Sequence, residues 1–166
     1  MDASAHLQFK PLSVDDIHWV KQFLVHNPSR TCDMTVGGIF LWADYFHYSA
    51  AVHRNTLFIL GVTEDNTAIP AFSIPVGELP LSDSVSILRE YCHTHNIPLT
   101  FSAVPQSMVD PLLQLGATNV SELTDWADYL YDANALATFA GKKLMKKRNH
   151  VNRFMADHPD AVFAPL

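Results

Sequence analysis

The chain has 166 residues, of which 48% are hydrophobic and 17% charged, with a formal net charge of −6; this composition is typical of one globular domain with a sizeable core and excludes an intrinsically disordered chain. Its two cysteines, Cys32 and Cys92, have no metal-type or redox-type spacing, so we expect a reducing compartment and a cytoplasmic protein. The N-terminus lacks the apolar stretch of a signal peptide, and no apolar run approaches the roughly 20 residues of a membrane-spanning helix, so we expect no transmembrane segment.

The first half of the chain predicts two helices and four strands. Ser13, followed by two acidic residues, is a good N-cap for a helix that stops near Asn27 and Pro28. A second helix, rich in aromatic residues, is predicted over residues 38–48. Alternating and β-branched segments predict strands at residues 7–12, 50–53, 56–62 and 68–74, with a hairpin turn at residues 64–66 joining the last two.

The second half predicts helices at residues 82–96 and 107–115, the latter ended by Gly116. Strands are expected at residues 99–104, 118–123 and 127–131. The last long segment, residues 135–158, predicts a helix that is broken or loosened around Gly141 and stops before Pro159. Residues 162–165 would begin a further strand.

This order of elements predicts an α/β (α+β) fold, in which helices flank a mixed, mostly antiparallel sheet and a basic helix follows at the C-terminus. The succession resembles the GNAT acyltransferase fold. In that fold, residues 74–82 would correspond to the loop that grips the pyrophosphate of acyl-CoA. The loop has one glycine and two prolines, and prolines lack the N–H donors that a phosphate requires. We therefore expect no acyl-CoA and no other cofactor in this domain.

Three further groups of residues have both a chemical and a structural interpretation. Glu78 is weighed as a general base against a solvated loop carboxylate, and no catalytic residue is assigned. The pair His93 and His95 is expected to lie on the surface, because apart from Cys92 no carboxylate or cysteine is at ligand spacing, so no metal is predicted. The aromatic residues of the second helix are expected in the core rather than along a substrate cleft. They are Trp42, Tyr45, Phe46 and Tyr48.

The C-terminal helix contains most of the positive charge. Residues 1–140 have five basic and 15 acidic side chains, a net charge of −10, whereas residues 141–166 have six basic and two acidic ones, a net charge of +4. A polyanion would be attracted to the second region. At about 100° per residue, one polar stripe and an opposite apolar stripe, which could dock on the sheet, are predicted. The polar stripe has Lys142, Lys146, Asn149 and Arg153, and the apolar stripe has Leu144, Val151 and Met155.

Several interpretations of this helix remain open. The outer lysines form either a ligand-binding face or a solvated one. Arg148 projects within the apolar stripe, so it must snorkel, contact a ligand, or pair with an acid such as Asp128 or Asp132. Docking at an anionic membrane is a further interpretation. It is disfavoured because few bulky apolar residues lie opposite the charge.

A family resemblance rests on residues 128–154, which read DYLYDANALATFAGKKLMKKRNHVNRF. This segment resembles the signature of the phosphatidylglycerol lysyltransferase C-terminal domain family, many of whose members are bacterial. Residues 40–45 (FLWADY) and 75–77 (PVG) are also similar to that family. The resemblance implies a pair of tandem GNAT-like domains, related to Fem-type aminoacyltransferases, that moves an amino acid from aminoacyl-tRNA to a lipid headgroup.

The resemblance also implies an organisation and a set of ligand-facing or interdomain residues. Residues 1–140 would form a GNAT-like domain, residues 141–158 a basic linking helix, and residues 159–166 the start of a second domain or a C-terminal tail. The positions carried over are Lys142, Lys143, Lys146, Lys147, Arg148, Asn149, Asn152 and Arg153.

The expected function is that of an aminoacyl- or acyltransferase-like domain. Its basic helix would bind an anionic ligand, tRNA or a phosphorylated substrate, and a second GNAT-like domain or chain would be needed for activity. One alternative is a non-catalytic half-domain that mediates interaction or homo-oligomerisation. Another is a nucleic-acid-binding module without transfer activity.

Overall fold

The computed structural model describes residues 7–25, 27, 29, 31–64, 69–162 and 164. The chain divides into two units, Met1–Ala127 and Asp128–Leu166, called here the sheet unit and the terminal unit. The sheet unit has an antiparallel sheet flanked by helices, so the α+β class predicted from the sequence is confirmed. No helix in the described part of the chain combines the length and the apolar character needed to cross a bilayer.

The sheet of the first unit is built around one long strand. Within the described residues the sheet has five strands. Four of them are neighbours in the order β1-β2-β3-β4, and the fifth, β5, follows β4 in the sequence and pairs with β3. All these pairings are antiparallel. Arg54 and Asn55 join β2 to β3 in a two-residue turn with positive φ at both positions, as tight hairpins require. The strands are β1 Lys10–Pro11, β2 Ser49–His53, β3 Thr56–Val62, β4 Pro70–Phe72 and β5 Val76–Gly77.

The sheet unit has four α-helices among its described residues, and capping signals mark two of their boundaries. Ser13 and Asp16 form a capping box at the 3₁₀ turn that leads into the first helix. The third helix ends where Asn96 adopts a left-handed conformation, with φ of 53°. The helices are α1 Ile17–Leu24, α2 Val36–Leu41, α3 Leu81–His95 and α4 Gln106–Gln114.

The core has one hydrophobic cluster on each face of the sheet. Leu57 and Ile59 of β3 belong to the cluster that contains residues of α1 and α2, such as Val20 and Ile39. Phe58, which points the other way, belongs to the cluster that contains Leu88 of α3. The central strand β3 is therefore buried on both faces, which explains its unbroken apolar sequence.

The aromatic segment after α2 is shorter and more exposed than the sequence suggests. A helix was expected over residues 38–48, but α2 ends at Leu41 and a turn follows, in which His47 has φ of 53°. Phe46 is buried and its ring contacts Trp42, Tyr48 and Trp126. The expected core position is thus correct for Phe46, whereas the side chains of Trp42 and Tyr45 are 47% and 54% exposed.

Two predicted strands are absent from the described structure, and a third forms only a single bridge. Residues 118–123 and 127–131 form no strand, and a 3₁₀ turn at Thr124–Trp126 lies between them. Their apolar side chains gain little burial, since Val120 is 60% and Leu130 96% exposed. In the strand expected at residues 99–104, the structure has a single parallel bridge, from Phe101 to Phe72.

The terminal unit contains two helices, α5 Ala133–Thr138 and α6 Met145–Asp157, with a 3₁₀ turn at Lys142–Leu144 between them. Asp132 caps α5 by accepting a 2.8 Å hydrogen bond from the Ala135 amide. The predicted interruption around Gly141 is present, because Phe139 and Gly141 have φ of 48° and 87°.

Some sequence predictions fall outside the described residues. They are the hairpin turn beyond residue 64, the helix stop at Pro28 and most of the strand expected at residues 162–165.

Two glycines should respond oppositely to replacement by alanine. A Cβ on Gly77 would overlap the carbonyl oxygen of Asn55 and the Cα of Thr56, which are backbone atoms that cannot easily move. Gly77→Ala should therefore lower the free energy of unfolding by about 1–3 kcal/mol. Gly37 lies in α2 with no atom within 4 Å of the added Cβ. Gly37→Ala should raise the free energy of unfolding by ~0.5–1 kcal/mol. Urea denaturation measures both, and equal effects would contradict the close approach at Gly77.

Alkaline pH should destabilise the protein through Tyr48. Burial raises the pKa of its phenol to about 12, and the negative charge of Asp33 adds to the increase. In the unfolded chain the phenol ionises at about pH 10. Between these two values the unfolded chain loses the proton first, so the free energy of unfolding should fall as pH rises. Tyr48→Phe should lack this component, and in an ultraviolet absorbance titration it should lack the ionisation near pH 12.

Candidate functional site

A cleft opens in the sheet unit where two parallel segments diverge. The Phe72 amide donates to the Thr100 carbonyl at 2.8 Å, and the Ser102 amide donates to the Phe72 carbonyl at 3.0 Å. Beyond this bridge the chain after β4 stays with β3, since the Ser73 amide donates to the Ile59 carbonyl. The other segment turns away at Ala103, which has φ of 53°, and enters α4. Ligands bind preferentially where neighbouring parallel strands separate in this way.

The cleft has a volume of about 540 Å³, and residues from several segments of the sheet unit line it. Residues 74–78 contribute a continuous stretch, Pro105, Ser107 and Met108 come from the start of α4, and α1 contributes Gln22 and Phe23. The lining is more apolar than polar. Among the described lining residues, Glu78 is the one with a charged side chain.

Glu78 is held in place by the β2–β3 turn. The Asn55 side-chain amide donates to Glu78 Oε1 at 2.6 Å, and the Glu78 amide donates to the Asn55 carbonyl at 3.1 Å. The next residue is also fixed, because the Leu79 amide donates to the hydroxyl of the buried Thr56 at 2.9 Å. The carboxylate therefore has a defined position at the edge of the cleft, although it remains exposed to solvent.

A second polar group of the cleft is Asn27. Its side-chain oxygen accepts a hydrogen bond from the Ser29 amide at 3.0 Å. Its buried Nδ2 has no hydrogen-bond partner among the described residues. A buried donor of this kind is stabilised when an acceptor is supplied.

The eight residues predicted as ligand-facing lie together in the terminal unit. Lys142 and Lys143 are in the 3₁₀ turn, and the other six are on α6. Seven of the eight are exposed, and Arg148 is of intermediate burial. The structure thus brings these side chains onto one continuous helical stretch, without itself testing whether they bind a ligand.

Arg148 is anchored by a backbone group. Its Nη1 donates to the carbonyl oxygen of Phe139 at 2.9 Å, across the break between α5 and α6. Near it, the ammonium of Lys147 lies 5.6 Å from the centre of the Tyr131 ring, a cation–π distance. The guanidinium of Arg153 makes an exposed ion pair with Asp157 at 3.6 Å. The four lysine side chains of this stretch are exposed.

The apolar stripe predicted on α6 is only partly buried. Leu144 is buried, but Val151 and Met155 are 43% and 54% exposed, and Phe154 is 53% exposed. The docking of this stripe on the sheet stays a prediction.

The histidine pair shows no metal-binding arrangement. His95 Nδ1 lies 2.8 Å from the Tyr91 carbonyl oxygen, and its ring stacks on that of Tyr91. His93 is exposed at the end of α3. Over the described residues, no group of three or more His, Cys, Asp or Glu side chains could hold a metal ion.

Sequence reasoning identified Glu78 but missed the cleft around it. Asn55 lay between two predicted strands without being singled out, and Met108 and Phe23 were interpreted as ordinary helix positions. The signal that could have revealed the cleft is the crossover from β4 to the segment at residues 99–104. A parallel crossover places the chain after both segments at the same edge of the sheet.

Comparison with known proteins gives one solved relative and one family. A crystal structure of a conserved protein of unknown function from Bacteroides thetaiotaomicron VPI-5482 is similar, with a TM-score of 0.79 and 26% sequence identity. The match covers 96% of this chain and 54% of that one, so the chain spans about half the length of this relative. No curated protein matches the chain. The description "Phosphatidylglycerol lysyltransferase, C-terminal" belongs to a family whose model matches residues 27–165. The chain therefore belongs to the phosphatidylglycerol lysyltransferase C-terminal family.

Proposed function

We propose that this chain is an aminoacyl- or acyltransferase-like domain that binds an anionic ligand through α6. The ligand would be tRNA or another phosphorylated molecule in the cytoplasm. Family membership supports the transferase part of the proposal. The exposure of the basic side chains of the terminal unit supports the anion-binding part.

The observation that carries the proposal is the grouping of exposed cations. Lys146 and Arg153 are seven residues apart on α6, and Lys142 precedes them by one further turn. At ~1.5 Å per residue, Lys146 and Arg153 are separated by about 10 Å along the helix axis. They are also within about 20° of each other around the axis at ~100° per residue. Such a row of cations can contact several phosphates of one strand, because phosphate contacts are electrostatic and tolerant of sequence.

The two units differ in charge in the sense that the proposal requires. The sheet unit has five basic and 13 acidic side chains, and the terminal unit has six basic and four acidic ones. The net negative charge of the sheet unit repels a polyanion, and the net positive charge of the terminal unit attracts it. Binding should therefore depend on the terminal unit, and the lysines of the sheet unit serve as internal controls.

Activity, under this proposal, requires a second domain or chain. The chain spans 54% of the solved relative, which supports a longer functional assembly. Residues 1–140 would act as a GNAT-like domain, residues 141–158 as the linking helix, and residues 159–166 as the connection to the second half or as a tail. Catalysis would consist of positioning donor and acceptor, and it assigns no covalent role to this chain.

A second candidate function is favoured by the exposed apolar side chains of the terminal unit. Tyr129 and Leu130 are 89% and 96% exposed, and Phe154 is half exposed. Such a surface is typical of an interaction or oligomerisation half-domain. Sedimentation equilibrium distinguishes this candidate, since a concentration-dependent dimer that is lost in Leu130→Ser would support it.

Removing two lysines of α6 and its preceding turn should weaken tRNA binding in a salt-dependent way. For the wild-type chain, the logarithm of affinity should fall steeply with the logarithm of salt concentration. Lys142→Ala together with Lys146→Ala should reduce the magnitude of this slope by about 1.5, because each phosphate contact contributes ~0.7–0.9. Fluorescence anisotropy with labelled tRNA measures the slope.

The matched control removes two exposed lysines of the sheet unit, Lys10→Ala with Lys21→Ala. It changes the net charge of the chain equally and should leave the slope unchanged. Equal slopes for both double variants, or a flat response of the wild-type chain, would contradict the proposed role of α6.

Arg148 should contribute more to stability than its neighbour Arg153. Arg148→Met removes a partly buried, charged donor to the Phe139 carbonyl and should lower the free energy of unfolding by about 1–2 kcal/mol. Arg153→Met removes an exposed ion pair and should change it by less than ~0.5 kcal/mol. Urea denaturation measures both. Unchanged stability of Arg148→Met with lost tRNA binding would assign this side chain to the ligand instead.

A further inference from the structure

We propose that the C-terminal half of α6 stacks on unpaired nucleobases, so that the ligand of this helix is a single-stranded nucleic-acid segment rather than a duplex or a simple polyanion. The stacking surface, called here the aromatic row, consists of His150, Phe154 and His158. This inference rests on the proposed function, because it assumes that α6 binds a nucleic acid. It adds the part of the ligand that is not phosphate.

The aromatic row is open to solvent. Phe154 is 53% exposed, and both histidines are exposed as well. His150 and Phe154 are four residues apart on α6, so they are about 6 Å apart along the helix axis and about 40° apart around it. The ring centroids of Phe154 and His158 are 4.9 Å apart, and the His158 amide donates to the Phe154 carbonyl at 2.9 Å. The row therefore continues to the end of the helix.

The aromatic row lies on the cationic side of α6. At ~100° per residue and with Lys146 as the origin, His150 is at about 40°, Phe154 at about 80° and Lys147 at about 100°. Both aromatic residues therefore fall in the sector between two exposed lysines. Met155 of the apolar stripe is at about 180°. A protein surface that buried Phe154 would thus have to cover lysine side chains, whereas a nucleic acid would attract them.

This arrangement matches the two kinds of contact that a single strand offers. Lysine ammonium groups contact phosphates whatever the base sequence. Exposed phenylalanine and histidine rings stack on bases that are not paired. In a duplex the faces of the bases are stacked on one another, so a side chain at the surface cannot reach them. The aromatic row is therefore useful to α6 only if the bound strand is unpaired.

The distribution of charge along the helix favours the same division. The four lysines of this stretch all lie within residues 142–147. Further along, the guanidinium of Arg153 is paired with Asp157 at 3.6 Å, which reduces the charge that it offers to a phosphate. Phe154 and His158 thus lie where the cationic charge is weakest. Phosphates are expected at the start of the helix and bases near its end.

Three oligonucleotide probes of equal length separate stacking from charge. They are a single-stranded RNA, the same RNA paired with its complement, and an abasic strand with the same phosphates and no bases. Fluorescence anisotropy measures their affinities for the full chain at one salt concentration. Because the duplex has the highest charge density, charge alone would make it the tightest ligand. Stacking should instead make the single strand the tightest, about 5-fold or more above the abasic strand.

Phe154→Leu removes the ring and keeps an apolar side chain that is favourable in a helix. It should weaken binding of the single strand by about 5-fold or more and leave the affinities for the other two probes unchanged. Met155→Leu is the matched control and should have no effect, because Met155 is 54% exposed but lies away from the lysines. Isotope-filtered NMR should show nuclear Overhauser effects between the Phe154 ring and base protons of the single strand.

The results that contradict stacking differ from those that contradict anion binding. Equal affinities for the single strand and the abasic strand, or tightest binding of the duplex, would leave α6 as an anion-binding helix and overturn the stacking inference alone. No salt-dependent binding of any probe would overturn both. If Phe154→Leu reduced self-association in sedimentation equilibrium without changing the three affinities, Phe154 would belong to a protein interface and the inference would be wrong.

Discussion

The burial of β3 on both of its faces is the constraint on which the rest of the sheet unit depends. Its residues alternate between two hydrophobic clusters, one with α1 and α2 and the other with α3. The same strand pairs with β2, β4 and β5, so its backbone fixes the register of the whole sheet. Because β5 returns to β3 after β4, the chain cannot follow the parallel segment at Phe101 any further. The cleft is thus a consequence of how one central strand is shared.

How much of this fold could be predicted depends on the range of the interactions involved. Helices α1, α3 and α4 and strands β2 and β3 are marked by local periodicity and capping residues, and they appear within a few residues of the predicted positions. Residues 118–123 alternate as a strand does, but pairing requires a neighbouring strand that a local pattern cannot supply. The helix predicted through the aromatic segment after α2 is wrong because ring contacts within the folded unit favour a turn there over a continued helix.

The candidate sites show the same division. The basic helix was predicted because charge and helical periodicity are both local properties, and the break at Gly141 follows from one residue type. The cleft was not predicted because its walls come from segments that are far apart in the sequence, such as Gln22–Phe23, residues 74–78 and residues 105–108. Glu78 could be singled out as a loop carboxylate, but its partner Asn55 is 23 positions away and is recognisable only after β3 and β5 are paired.

The β2–β3 turn has an unusual consequence for how the protein can vary. Surface hairpin turns normally tolerate insertions and exchanges among glycine, asparagine and aspartate. Here Asn55 has a left-handed backbone, its carbonyl accepts from the Glu78 amide, and its side chain holds the Glu78 carboxylate. Glycine would satisfy the backbone and abolish the side-chain contact, while one added residue would shift both. Homologous proteins should therefore vary less in the residues and the length of this turn than its position on the surface suggests.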